Sequence, residues 1–430
     1  MSRAIRAAPG KGSAAGRRYR LGFPPRVGRE LSQRERESAG DSGPLRALRA
    51  RAHRWNNGIG LGSAFAAIHH SGEGRELRLK NRPIRTGIVG FGFGARIFHA
   101  PFLAALPEFE ITHFVQRSSS SASDAYPGVR IVPSVEELVS QPEVDLVVIT
   151  TPNDTHYPLA RLALEAGKHV VVDKPMCETA AQAQDLLHLA RASGKVFSVF
   201  HNRRWDGDYR TVCEIVRQGL LGNLHEFESH FDRYKLQLKA GSWKEEPGPG
   251  TGMLFDLGSH LIDQALALFG LPERVFADLR SQRLGSRIDD HFEVILDYGA
   301  MKATLKCGTL VREKPPRFQL FGDLGAFVKY GMDPQEARLL ASDPPRWNRT
   351  LGVDPEENWG LLHTSVNQLV FKGKVETLPG DYAGYYRNIA AAIRGDEALL
   401  VKPEQIVTLM KVLELARESN REGRWMEMTP

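Results

Sequence analysis

Asp256 and His260 lie four residues apart in FDLGSHLIDQALALFG, residues 255–270, where an amphipathic helix would be starting. From Leu257 onward the apolar spacing is helical, and residues at i and i+4 share one helix face. A carboxylate beside an imidazole can bind a hydroxyl and accept its proton. The plainer reading is that Asp256 caps the helix and His260 packs. A second stretch with chemical spacing is Gly90-Phe91-Gly92-Phe93-Gly94-Ala95, a G-x-G-x-x-A turn between an apolar strand, IRTGIVG, and a helix. Gly90 allows the tight turn and Gly92 lets the backbone approach a pyrophosphate. Ala95 permits close helix–strand packing, and the free N–H groups of the helix start face the anion. This context points to a dinucleotide.

The elements around the turn alternate. EITHFVQ, VDLVVITT, HVVVDKP and KVFSVFHN read as strands, the second of them apolar on both faces as in a buried parallel sheet. SVEELVSQ carries the capping-box pair Ser134 and Glu137, and PLARLALEAG and AAQAQDLLHLARASG read as helices. From about Arg203 the texture changes to clustered strand patterns, LHEFESHFDRYK, HFEVILDY and MKATLKCGTLV, before a long final helix, PEQIVTLMKVLELARESN. The expected fold is α/β: a doubly wound parallel Rossmann sheet over 84–202, then an α+β domain with an open, mostly antiparallel sheet over 203–401. Residues 402–430 are expected to pack back on the Rossmann side.

Charge separates the first 83 residues from the rest. They hold 18 Lys and Arg against 6 Asp and Glu, a balance of +12. The other 347 residues hold 39 against 45, a balance of −6, so the body of the chain does not read as a nucleic-acid binder. Residues 1–83 are poor in apolar periodicity and are expected to be disordered. A non-functional extension is favoured over a targeting peptide or a basic arm for an anionic partner. No run of about 18 apolar residues indicates a membrane span. Cys177, Cys213 and Cys307 are far apart, which fits a reducing, cytoplasmic setting without disulfides and gives no thiolate metal site. His225 and His230 of HEFESH are five apart on an alternating strand, so they read as structural, and no metal site is expected.

The ribose-binding acid of a dinucleotide site is expected about 20 residues past the glycine turn. Glu110 has that count but begins its strand and points away. The strand ends at Arg117 and Ser118, whose side chains suit a 2′-phosphate, which favours NADP over NAD.

The glycine turn, TTPNDTH, VDKP and DLGSHLID occur in this order, and together they resemble the Gfo/Idh/MocA family of NAD(P)-dependent oxidoreductases. The resemblance spans about residues 84–425. FHAP and HNRRWDGD are similar to a branch that contains scyllo-inositol-type dehydrogenases. The resemblance implies hydride transfer between NAD(P) and a secondary alcohol of a sugar or cyclitol, with Lys174, Asp256 and His260 catalytic. Thr151, Pro152, Asn153 and His156 match the loop beside the nicotinamide ribose, and Asp173 stands where the family usually has glutamate. The chemistry suits these roles. His260 can take the carbinol proton, and Lys174 can donate to an oxygen on which charge develops. Asp256 can hold either cation or a substrate hydroxyl. Lys174 could equally be the final acid/base while His260 orients the carbinol. Gly258 is expected to keep the backbone low for substrate. His99, Asn202, Arg203, Arg204 and Trp243 are candidate substrate contacts, although the two arginines could equally form ion pairs at a domain boundary. A homodimer or homotetramer through the C-terminal sheet is expected. The alternatives are a biliverdin-reductase-like reductase and a cofactor-sensing protein without turnover.

Overall fold

The computed structural model describes residues 82–429 apart from 118, 240, 249 and 343, so the reading of the basic N-terminal segment lies outside the described residues. Six strands form the first sheet: β1 (Ile84–Val89), β2 (Phe109–Val115), β3 (Arg130–Val132), β4 (Leu146–Ile149), β5 (His169–Val172) and β6 (Phe197–Val199). Their order is β3-β2-β1-β4-β5-β6 and every pairing is parallel. β4 and β5 are buried along their whole length, as continuous apolar runs demand when helices cover both faces. The covering helices are α1 (Ala100–Ala105), α2 (Ser121–Ala125), α3 (Val135–Ser140), α4 (His156–Glu165) and α5 (Ala180–Ser193). Ser134 does cap α3, its hydroxyl accepting from the Glu137 N–H at 3.2 Å. The strand order reverses between β1 and β4, so a crevice opens at the carboxyl ends of those strands. Gly90, Thr150, Asp173 and Phe200 each follow directly on a strand that ends there.

Beyond α6 (Gly207–Arg217) come β7 (Leu224–His230), α7 (Ser259–Phe269), β8 (Arg274–Arg280), β9 (His291–Asp297), β10 (Lys302–Gly308), β11 (Phe318–Gly322), β12 (Gly325–Lys329), α8 (Gln335–Ala341), β13 (Gly360–Val366), β14 (Leu369–Val375), α9 (Ala383–Arg394), α10 (Pro403–Glu422) and β15 (Met426–Glu427). The nine strands form one sheet in the order β14-β13-β12-β11-β7-β10-β9-β8-β15. It is antiparallel except where β7 lies parallel to β10, a pairing that needs the crossover through α7, β8 and β9. One face carries Phe227, Leu320, Phe327 and Leu362 into the core; the other presents Glu226, Lys302 and Lys306.

The final helix joins the two sheets. Glu414 accepts from the Ala180 N–H at 2.8 Å at the start of α5, and the Val401 carbonyl just before α10 accepts from Ser198 of β6 at 3.0 Å. Ser419 accepts from the Ala277 N–H of β8 at 3.0 Å. At the opposite side of the junction Gly207 starts α6 where a Cβ would lie 2.2 Å from the Leu378 carbonyl oxygen and 2.9 Å from the Gly380 nitrogen. Backbone cannot give way there as a side-chain tip can. Gly207→Ala is therefore expected to destabilise the fold by at least about 1–3 kcal/mol, measured as a loss in denaturant midpoint at unchanged slope.

Candidate active site

Both helices that open onto the crevice begin with a widened π turn, Ala95–His99 before α1 and Leu254–Gly258 before α7. Such turns re-aim side chains and recur at functional sites. The second one turns Asp256 away from any capping role. Its carboxylate instead accepts from Lys174 Nζ at 2.8 Å, and its carbonyl oxygen accepts from the same ammonium at 2.5 Å. Lys244 Nζ approaches the carboxylate at 3.4 Å. Burial alone would raise the Asp256 pKa, but Lys174, Lys244 and Arg233 hold it well below the usual carboxylate range.

His260 is buried one turn further on, and its Nδ1 has no hydrogen bond. Burial, reinforced by the nearby charges of Lys174 and Arg203, pushes its pKa well below that of an ordinary histidine. It is a neutral base at pH 7. Gly258 does not face the crevice as expected. A Cβ there would meet Leu254 at 3.2 Å and Phe292 at 3.3 Å, so this glycine lets the π turn press onto β9.

The glycine turn has the geometry its spacing implies. Gly90 has φ +89°, in the left-handed region that favours glycine. Above Gly92 nothing lies within 4 Å of a Cβ position, so protein packing does not explain that glycine, whereas a dinucleotide's pyrophosphate would. Gly94 has a reason the sequence did not reveal: a Cβ would sit 2.9 Å from Asp173 Oδ2. Ala95 is fully buried. Phe91 packs edge-on to Phe114 with centroids 5.1 Å apart, while Phe93 is exposed. The residues present thus fit a dinucleotide.

Several predicted contacts turn out to be braces. His99 is fully buried and does not open onto substrate space. Its Nδ1 lies 2.6 Å from the Tyr386 hydroxyl and its Nε2 lies 3.6 Å from Asp173. Burial would raise the Asp173 pKa, but His99, His156 and Lys174 bring it down to about 2. His156 is likewise buried, its two ring nitrogens 2.7 Å from the Pro175 carbonyl oxygen and 2.8 Å from that of Thr151. His156 therefore sits between the TTPND loop and the DKP loop, where its ring N–H can donate to a carbonyl oxygen of one or the other. Thr151 and Thr155 hydroxyls lie 2.5 Å apart, Pro152 leads into the following turn, and Asn153 donates to the Gly250 carbonyl oxygen at 3.0 Å.

Arg203 and Arg204 form internal ion pairs, the second of the two roles the sequence left open. Arg203 bonds Tyr382 at 3.1 Å, Asp206 at 3.3 Å and Glu336. Arg204 clamps Asp263 through two bonds, at 2.8 and 2.6 Å. Asn202 is buried in the turn after β6. Arg117 is exposed at the end of β2. Ser118 and the side chain of Trp243 lie outside the described residues. Among the described residues no group of three His, Cys, Asp or Glu side chains could hold a metal ion, and no helix is long and apolar enough to cross a membrane. One residue near the centre escaped sequence reading: His201, buried beside His260. Its only signal was its place immediately after the last strand of the parallel sheet.

Comparison with known proteins agrees with this geometry. Residues 84–201 match an oxidoreductase family described by its NAD-binding Rossmann fold, and residues 209–328 match the Gfo/Idh/MocA C-terminal domain. The chain belongs to the Gfo/Idh/MocA family. Among its relatives are the Escherichia coli oxidoreductase YdgJ, 40% identical over 78% of this chain and 96% of that protein. The scyllo-inositol 2-dehydrogenase (NADP(+)) IolW of Bacillus subtilis is 37% identical over 81% of this chain and 96% of its own length. The solved structure of the oxidoreductase YvaA from Bacillus subtilis superposes with a TM-score of 0.78 at 36% identity, over 81% of this chain and 99% of that one. As a Gfo/Idh/MocA oxidoreductase with a nicotinamide site, the protein makes a clear demand on Gly92. Gly92→Ala should leave thermal stability unchanged while weakening NADPH or NADH binding at least about tenfold, because only the ligand's approach is blocked. Equal affinity, measured by fluorescence titration, would contradict that role.

Proposed function

We propose that the protein catalyses reversible hydride transfer between NADP(H) and a secondary alcohol of a sugar or cyclitol. The observation that carries this reading is the Lys174–Asp256 pair at 2.8 Å with neutral His260 beside it, at the carboxyl ends of the parallel strands. One relative whose name states an activity, scyllo-inositol 2-dehydrogenase (NADP(+)), supports the same class of substrate and cofactor.

In this reading the bound nicotinamide supplies or accepts the hydride. Gly90, Gly92 and the first turn of the following helix hold the pyrophosphate, and Arg117 meets a 2′-phosphate. Lys174, fixed by Asp256, donates a hydrogen bond to the carbinol oxygen and stabilises the negative charge that develops there. His260 takes the hydroxyl proton as the alcohol is oxidised and returns it in reduction. Asp256 keeps the ammonium aimed. The buried clamps at His99 and His156 keep the three loops at their spacing, since an error of about 1 Å at such a site can cost 10²-fold in rate.

The test is fluorescence titration of the purified protein with NADPH and with NADH, followed by a polyol panel with the preferred cofactor. NADPH is expected to bind more tightly, and Arg117→Ala should weaken it about 10- to 100-fold while sparing NADH, the worth of one or two charge-assisted hydrogen bonds. If neither cofactor bound, the reading would fall. In the oxidative direction the active form of His260 is the neutral one. Because its pKa is depressed, the acid limb of kcat/KM should lie below pH 6.5; a limb above that value would assign the base elsewhere.

A further inference from the structure

His201 lies edge-on to His260, with ring centroids 5.8 Å apart and planes at 88°. Neither of its nitrogens makes a hydrogen bond, and Nδ1 of His260 is buried without one. Buried polar atoms are nearly always hydrogen-bonded, so three such atoms on two neighbouring rings call for a reason. Asp263 supplies a direction. Its Oδ2 lies 3.7 Å from Nδ1 of His201, and its carboxylate is fixed by the two bonds from Arg204. Arg204 is anchored in turn on the Leu400 carbonyl oxygen at 2.8 Å and on Gln405 at 3.0 Å. His260 and Asp263 are three residues apart on α7, so they flank His201 from one helix face.

We propose that His201 is a positioning residue that fixes the tautomer of His260. With its proton on Nδ1 toward Asp263, His201 keeps a lone pair on Nε2; the two rings are not hydrogen-bonded in the structure, and a small rotation would let that lone pair accept from an N–H on Nδ1 of His260. His260 then has a single lone pair, on Nε2, for the substrate hydroxyl. When the carbinol O–H breaks, its proton bonds to Nε2 and the O–H electron pair stays on oxygen to form the carbonyl as hydride leaves. The imidazolium keeps its Nδ1–H on His201. The assignment rests on the dehydrogenase reading above. The charged groups around the two rings are Lys174, Arg203, Arg204 and Arg317 on one side of the balance, and Asp173 and Asp263 on the other. Burial lowers His201 to about 4, against the opposing pull of Asp263 and with the help of Arg204 and Lys174. Both rings are therefore neutral at pH 7, the state such a donor–acceptor chain requires.

The test compares His201→Leu and His201→Gln with wild type by oxidation kinetics and by ring-nitrogen NMR of His260. His201→Leu is expected to lower kcat about 10- to 100-fold, the usual cost of losing a histidine's outer partner, with KM and NADPH affinity nearly unchanged. Its acid limb should shift, because the imidazolium has lost this neighbour. His201→Gln keeps an acceptor oxygen and should recover most of kcat. The NMR readout needs no turnover: wild type should show His260 as one Nδ1–H tautomer, and His201→Leu a mixture. A wild-type protein that oxidised no polyol yet showed this tautomer coupling would sink the dehydrogenase reading and uphold the coupling. A His201→Leu protein with unchanged kcat, pH profile and His260 tautomer would overturn the proposal. So would a folded His201→Gln protein no more active than His201→Leu.

Discussion

The ion pair between Lys174 and Asp256 is the contact on which the site depends. Lys174 leaves the carboxyl end of β5, and Asp256 sits on the π turn before α7, on the far side of the junction between the sheets. Removing either partner of this half-buried pair leaves the other charge less well compensated, although Lys244 also stands beside Asp256. Together they aim an ammonium into the crevice and depress the basicity of the histidine one turn further along. The local charge pattern has several sources: Lys174 and Lys244 keep Asp256 ionised, burial with Lys174 keeps His260 neutral, and His99 with His156 keeps Asp173 ionised.

Around this pair the protein invests buried polar groups in holding loops. His156 sits between carbonyl oxygens of two loops, and His99 ties Asp173 to Tyr386. Arg204 with Asp263 ties α7 to the approach of α10. Each brace is short on solvent, and those of His99 and Arg204 are long in sequence separation. A hydride-transfer site needs such stiffness, since its reacting groups must meet within tenths of an ångström.

Much of the fold was legible because it rests on local signals. The central parallel strands β4 and β5 are apolar on both faces, the glycine turn has one plausible backbone geometry, and Ser134 and Glu137 mark a helix start. Asp256 and His260 were legible as chemistry by their spacing and through a family pattern. The braces were not. Whether Arg203 and Arg204 reach substrate or partner Glu336 and Asp263 depends on residues 60 to 130 positions away, which no local pattern encodes. His99 and His156 were read as ligand contacts because their motifs border the cofactor loop, yet burial turns both rings inward. His201 offered only its place just past β6, since its surroundings exist only once α7 has packed against the turn that follows. Gly258 was assigned to the crevice when the crowding that selects it comes from Phe292.

The most direct test of the central ion pair is a double-mutant cycle on kcat/KM with Lys174→Met, Asp256→Asn and the combined variant, using the best substrate of a polyol panel. If Asp256 acts by aiming Lys174, the double variant should lose no more than Lys174→Met alone, with a large coupling energy between the two sites. Losses that multiply, each substitution costing the same in the presence or absence of the other, would mean that the two groups act independently and would contradict this account.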